Sequence, residues 1–205
     1  MENNTQNVST IWDILTALGT VGSCIIALFF DKFKNKFFPP KLELEIDNIY
    51  GELTEKNFPA VQIPSRYYHL KVTNKRRWVT AKNVQIILRS VEKKGVNGNW
   101  IEHWRGDIPF MWRHENIRPV SLNVGPSYTC DLCDITKNRG LTFHLKTIPN
   151  NFVCTEMHGE QHYKLLIEAI SDEKTSKTYE YIIDWDGLWE DGEKEMSKHF
   201  SIKQR

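Results

Sequence analysis

The chain has 205 residues, with 27 Lys or Arg against 26 Asp or Glu and a formal net charge of +1. That balance excludes the basic footprint of a duplex nucleic-acid binder and the composition of an acidic tail. No phosphate loop, dinucleotide fingerprint or G-x-S-x-G elbow occurs, so no cofactor is expected.

The first element is apolar. Residues 14–30 pass without a charge, roughly 25 Å of helix, the lower end of what spans a bilayer. Residues 1–10 carry no Lys or Arg, and the apolar run closes on Leu28, Phe29 and Phe30. Both features argue against a cleaved leader. We therefore expect residues 1–10 outside, a transmembrane helix over 11–30, a basic linker over 31–40 and one domain over 41–205. Lys32, Lys34 and Lys36, with Lys41 behind them, follow the apolar run. The positive-inside rule then puts the domain in the cytoplasm, with these lysines on anionic lipid. Gly19, Ser23 and Ala27 recur every four residues, a small-residue face that predicts homo-oligomerisation. Asp13 is expected to cap the helix. Cys130, Cys133 and Cys154 lie beyond the span, an odd number that suits a reducing compartment better than a disulfide framework.

After Pro39-Pro40 the dominant period is two. Alternating apolar residues run through 41–48, 67–73, 83–91, 128–132, 141–145, 163–169 and 179–185. Turn clusters separate them, and the pattern predicts a mainly β domain, an antiparallel sandwich or barrel with one wet face per sheet. The one helix expected in the domain covers 190–199.

The chemical motifs are sparse. Cys130-Asp-Leu-Cys133 has no second pair, and in a regular strand Cys133 would point away from Cys130. No metal is expected. His69 and His144 read as surface or edge residues, and His158 and His162 as a loop pair. Asp184-Trp-Asp-Gly187 reads as a tight turn closing a hairpin rather than a calcium loop. No acid–base pair stands at a catalytic spacing, so the chain is read as a non-enzyme. Basic and aromatic residues do occur together: Lys75, Arg76, Arg77 and Trp78, then Trp104 and Arg105, then Arg113. Arginine forks fit phosphate oxygens, and indole faces stack on bases or hold cations. These seven are the candidate ligand residues, the ligand an anion such as a nucleotide or a lipid headgroup.

The runs Tyr68-His-Leu-Lys-Val-Thr-Asn74, Ala81-Lys-Asn-Val-Gln-Ile-Ile-Leu88 and Leu122 to Leu132 resemble strands and turns of immunoglobulin-like sandwiches of the CARDB sort. Lys75 stands where that pattern has Gly, and Gly125-Pro126 reverses its Pro-Gly. The design of a short span plus a β domain is similar to bacterial membrane-anchored proteins, some of which are effectors of anti-phage systems that sense a cyclic nucleotide. The resemblance implies a membrane-anchored sensor or effector. The alternative is a structural subunit or adaptor that tethers a protein partner.

Overall fold

The computed structural model describes residues 3–113, 122–125, 127–152, 154 and 157–205. The chain divides into two compact units, residues 1–39 and 40–205.

The first unit is one helix, α1 (Asn3–Phe37). Its segment Trp12–Phe30 has a mean hydropathy of 1.9, is long and apolar enough to cross a membrane, and contains no buried residue. At 1.5 Å per residue it is about 28 Å long. The helix does not stop at Phe30: the expected linker is helical to Phe37, and Phe38 N–H donates to Lys34 O in the last turn. Pro39 and Pro40 then end it, because neither has an N–H to continue the ladder. Asp13 lies ten residues inside this helix and caps nothing.

The second unit is mainly β, two antiparallel sheets. One holds β1 (Leu42–Ile46), β2 (Glu52–Phe58), β3 (Val61–Asn74), β7 (Ser127–Thr136) and β8 (Gly140–Phe143). The other holds β4 (Ala81–Lys94), β5 (Trp100–Pro109), β6 (Leu122–Val124), β9 (Gln161–Ile170), β10 (Tyr179–Trp185) and β11 (Phe200–Gln204). β3 is the spine of the first sheet, pairing with β1 along one end, β2 along the other, and β7 on its opposite side. β4 and β9 are the centre of the second. Alternate residues of both sheets, among them Leu70, Val72, Leu132, Val84, Leu165 and Ile183, form one continuous buried cluster. At about 25 cal/mol per Å² of apolar surface, that shared core is the main source of stability.

Four strands escape the periodicity argument. β2 is an exposed edge, β5 is interrupted by register shifts, β6 has three residues, and β11 shows only two buried positions. The expected helix shrinks to α2 (Glu193–Met196). A bulge in β7 opposite Tyr68/His69 leaves Leu132 without a partner on β3. The bulge resets the alternation, so Cys130 and Cys133 both face the core as buried thiols outside any disulfide. Burial pushes the Cys133 thiol well up, with the neighbouring Asp134 charge adding to it.

Candidate functional site

At one end of the β unit the β7–β8 turn, the segment before β9 and the β10–β11 connection enclose a cleft of about 390 Å³. Thr136, Lys137, Arg139 and Gly140 come from the first, His158 and Gly159 from the second, Trp185, Gly187, Leu188 and Trp189 from the third.

Local chemistry fixes each wall. In the β7–β8 turn, Arg139 N–H donates to Thr136 O at 3.0 Å and Lys137 N–H to Pro64 O at 3.0 Å. Gly140 sits at φ +126°, and a Cβ there would lie 2.3 Å from Met157 O, so only glycine lets the turn meet the segment before β9. Gly187 is the matching case: φ is +88° and a Cβ would meet the Gly159 backbone at 2.8 Å. Asp186 turns the β10–β11 connection by accepting from Leu188 N–H at 3.0 Å and pairing with His199 Nδ1 at 2.7 Å. Burial opposes ionisation of Asp186, but the His199 and backbone hydrogen bonds outweigh it and lower its pKa. The connection is therefore a structured excursion over residues 186–199 between paired strands, not the tight turn its sequence suggests.

The electrostatics of the cleft are positive. The Arg139 guanidinium lies 3.8 Å from the Phe58 ring centre, and its nitrogens have no hydrogen-bond partner among the described residues. Lys137 pairs with Asp191, which also accepts from Trp189 Nε1 at 2.8 Å. These two contacts hold the Asp191 carboxyl below its usual range. One layer behind, Arg66 is 0% exposed. It neighbours the lining residue Ile135 across the β3–β7 ladder and donates to Tyr50 O at 3.1 Å and Asp191 O at 2.8 Å. Its Nε is unpartnered, and no carboxylate among the described residues lies within ion-pair distance. The guanidinium is hydrogen-bonded only to carbonyls, and its charge is met at longer range by the Asp191 carboxylate, whose pKa Arg66 helps to lower.

Thr136 links the cleft to a buried carboxylate. Asp134, 0% exposed, accepts from Thr136 Oγ1 at 2.6 Å, Ser65 Oγ at 2.7 Å and Lys56 Nζ at 3.0 Å, with His144 Nε2 at 2.9 Å. Burial alone would raise its pKa. The His144 hydrogen bond and charge, Lys56 and Thr136 more than reverse that, holding it at about 2. Tyr67 stacks on His144 with ring centres 5.1 Å apart, and its hydroxyl is pushed up to about 12 by burial and by Asp134 and Asp131. His69 is buried rather than at the surface, with Nδ1 2.8 Å from Asp131 Oδ1 but out of line for a hydrogen bond. Among the described residues no three His, Cys, Asp or Glu side chains converge as a metal site.

The seven residues singled out from the sequence are dispersed. Lys75, Arg76, Arg77 and Trp78 form the β3–β4 turn. Lys75 is paired with Glu43 and Glu45. Trp104 is 6% exposed and packs edge-on against Phe152, and Arg105 on the same strand is exposed and bonded to Glu102. Trp104 pairs with Val91, ten residues along β4 from Ala81, about 33 Å from the turn at strand rise. Arg113 grips Glu52 through two guanidinium nitrogens. Gly19, Ser23 and Ala27 are on α1, where a Cβ on Gly19 would meet nothing within 4 Å. Lys34 and Lys36 lie in its last turn; Lys32 is one turn earlier. Sequence reasoning missed Arg66, Lys137, Arg139 and Asp134. Asn138-Arg139-Gly140 was legible as a turn, but nothing local says it faces Trp185 and Trp189.

No protein-family model matches the chain, and comparison with curated proteins and with solved structures gives no match.

Proposed function

We propose that this protein is a non-enzymatic, membrane-anchored sensor or effector that takes an anionic ligand in the cleft between the β7–β8 turn and the β10–β11 connection. In this reading α1 crosses a bacterial inner membrane with residues 31–205 on the cytoplasmic side, and the β unit is an immunoglobulin-like sandwich. Copies associate through the Gly19, Ser23 and Ala27 face. Cyclic nucleotides are the first ligands to test, because the half-buried Trp189 offers apolar surface beside Lys137 and Arg139. The observation that carries the reading is the cation excess at the cleft: Arg139 on the rim without a carboxylate partner among the described residues and Arg66 buried behind it, with Asp191 shared between Lys137 and Arg66. One Asp191 carboxylate serves both Lys137 and Arg66, so an anion seated beside Arg139 meets the remaining positive charge.

The test is a thermal-shift series on the detergent-solubilised full chain with cyclic nucleotides, a nucleoside triphosphate and inorganic phosphate. A ligand at a hundred times its Kd stabilises the folded state by about 2.7 kcal/mol, roughly 5–10 °C in Tm for a chain of this size. Arg139→Ala abolishes the shift. A chain whose Tm no anion moves, or whose shift survives Arg139→Ala, refutes the cleft as an anion site.

The tethering alternative has one observation in its favour. Among the described residues β5 pairs only with β4, and its exposed Ile101 lies on that sheet edge. A protein partner could add a strand there.

A further inference from the structure

The β3–β4 turn is built as carefully as the cleft, yet it serves no part of it. Asn74, fully buried, organises it: Oδ1 accepts from Lys41 N–H at 3.2 Å and Arg76 N–H at 3.1 Å, and Nδ2 donates to Val79 O. Lys75 N–H donates to Lys41 O at 2.9 Å, and Val79 N–H to Arg76 O at 3.1 Å. Val79 is thereby pulled into the core, while Arg77 is exposed and Trp78 is 64% exposed. A buried asparagine thus spends two of its three side-chain hydrogen bonds on a loop that displays an indole to its surroundings, and the third on Lys41. Arg77 makes no ion pair among the described residues. The neighbouring acids are already engaged: Glu43 and Glu45 with Lys75, Asp172 with Asn83 Nδ2 at 2.8 Å, and Glu173 with Lys82 N–H at 3.1 Å.

The same hydrogen bonds say where this turn is along the chain. It is tied to Lys41, four chain steps from Phe37, the end of α1, which itself stands seven helical residues, about 10 Å, beyond Phe30. Four residues reach at most about 14 Å. The cleft is at the other end of β3, whose Arg66 and Asn74 are eight residues and so about 26 Å apart.

We infer that the turn Arg76-Arg77-Trp78 is a second membrane contact, which seats on anionic lipid headgroups with Trp78 at the interfacial level and Arg77 on phosphate. Indoles settle at the headgroup boundary, and clustered cations next to a span bind anionic leaflets. This rests on the reading that α1 crosses the membrane, and it adds a use for the domain's near end that the cleft does not need.

The experiment uses the full chain in nanodiscs, comparing hydrogen exchange of the residue 75–80 amides in purely zwitterionic lipid and in lipid with a third anionic component. Exchange slows at least fivefold in the anionic discs, and Arg77→Glu with Trp78→Ser restores the zwitterionic rate. Equal rates in both lipids overturn the inference, as does protection that survives the double substitution. Glycerol phosphate added to zwitterionic discs separates the sources: protection there reassigns the turn to a soluble anion and overturns the lipid contact. Alkaline carbonate extraction separates the premise. A chain released from vesicles overturns the membrane-spanning reading itself, whereas a retained chain with equal exchange rates overturns only the turn's contact.

Discussion

Replacing Asp134 by Asn tests the electrostatic account of the β unit most directly. The carboxylate is fully buried, keeps its charge through His144, Lys56, Ser65 and Thr136, and titrates at about 2 rather than 3.8. Because the folded pKa is depressed, ionised Asp134 stabilises the fold above pH 3.8, and this stabilisation fades as pH falls through 2. The difference is worth about 2 kcal/mol at neutral pH, of which about 1 kcal/mol is gone by pH 3. Asparagine keeps the shape but brings an NH₂ into a ring of donors and strips Lys56 of its countercharge, so Asp134→Asn loses about 3–5 kcal/mol at pH 7. The assay is urea unfolding of both proteins in one detergent at pH 7, 5, 4 and 3. Glu43, Asp186 and Asp191 also have lowered pKa values, so both curves slope; only their difference isolates Asp134. The gap between wild type and variant narrows by about 1 kcal/mol between pH 5 and pH 3. A constant gap would refute the claim that the native network holds this carboxylate ionised.

Arg139→Ala removes the ligand-induced Tm shift yet lowers stability without ligand by about 0.5–1 kcal/mol, the worth of an exposed cation–π contact with Phe58; calorimetry of the apo protein checks the second half. Gly187→Ala forces a side chain into a left-handed backbone and onto Gly159, and destabilises by at least 1–3 kcal/mol in chemical unfolding. Trp104→Ala opens a cavity against Phe152 and loses about 3–5 kcal/mol, whereas Trp78→Ala costs far less, about 1 kcal/mol or below in detergent, because that indole is 64% exposed. Gly19→Leu with Ser23→Leu lowers the particle mass by native mass spectrometry, since the bulk blocks close approach of helices.

What could be read from the sequence follows from how far each signal travels along the chain. Strand alternation is local, so β3, β4, β9 and β10, which face a core on one side, were visible in Leu70, Val84, Leu165 and Ile183. β2 buries nothing through Leu53 and Glu55, and so has no pattern to read. The bulge at Leu132 is invisible for a different reason: it is set by which residue of β3 stands opposite, and it decides alone that Cys133 faces inward. The cleft fails for the same reason at larger scale. Lys137, Trp189 and Arg66 are joined through Asp191, and the sequence separation between Arg66 and Asp191 leaves no local trace of that meeting. Basic–aromatic spacing found Trp104 and Arg113 instead, whose positions are fixed by packing against Phe152 and by Glu52.

On the two proposals made above, the ends of β3 divide the labour of the β unit. Asn74 ties one end to Lys41, where the chain comes from α1, and Arg66 stands behind the cleft at the other. Between them β3 is paired on both sides, and its register with β7 is pinned by the bulge beside His69. A change at the cleft that moved Arg66 along the strand would have to break that register, because a one-residue slip sends every core side chain to the wrong face. Ligand binding therefore cannot slide β3. It can act by changing which surface the distal loops present to a neighbouring copy, and only if the ligand prefers one arrangement of copies over another. On this account, the sensor reading stands or falls on assembly. A ligand that raises Tm in the cleft but leaves the oligomeric state of the full chain unchanged makes the protein a binder, and something other than α1 would have to carry the signal.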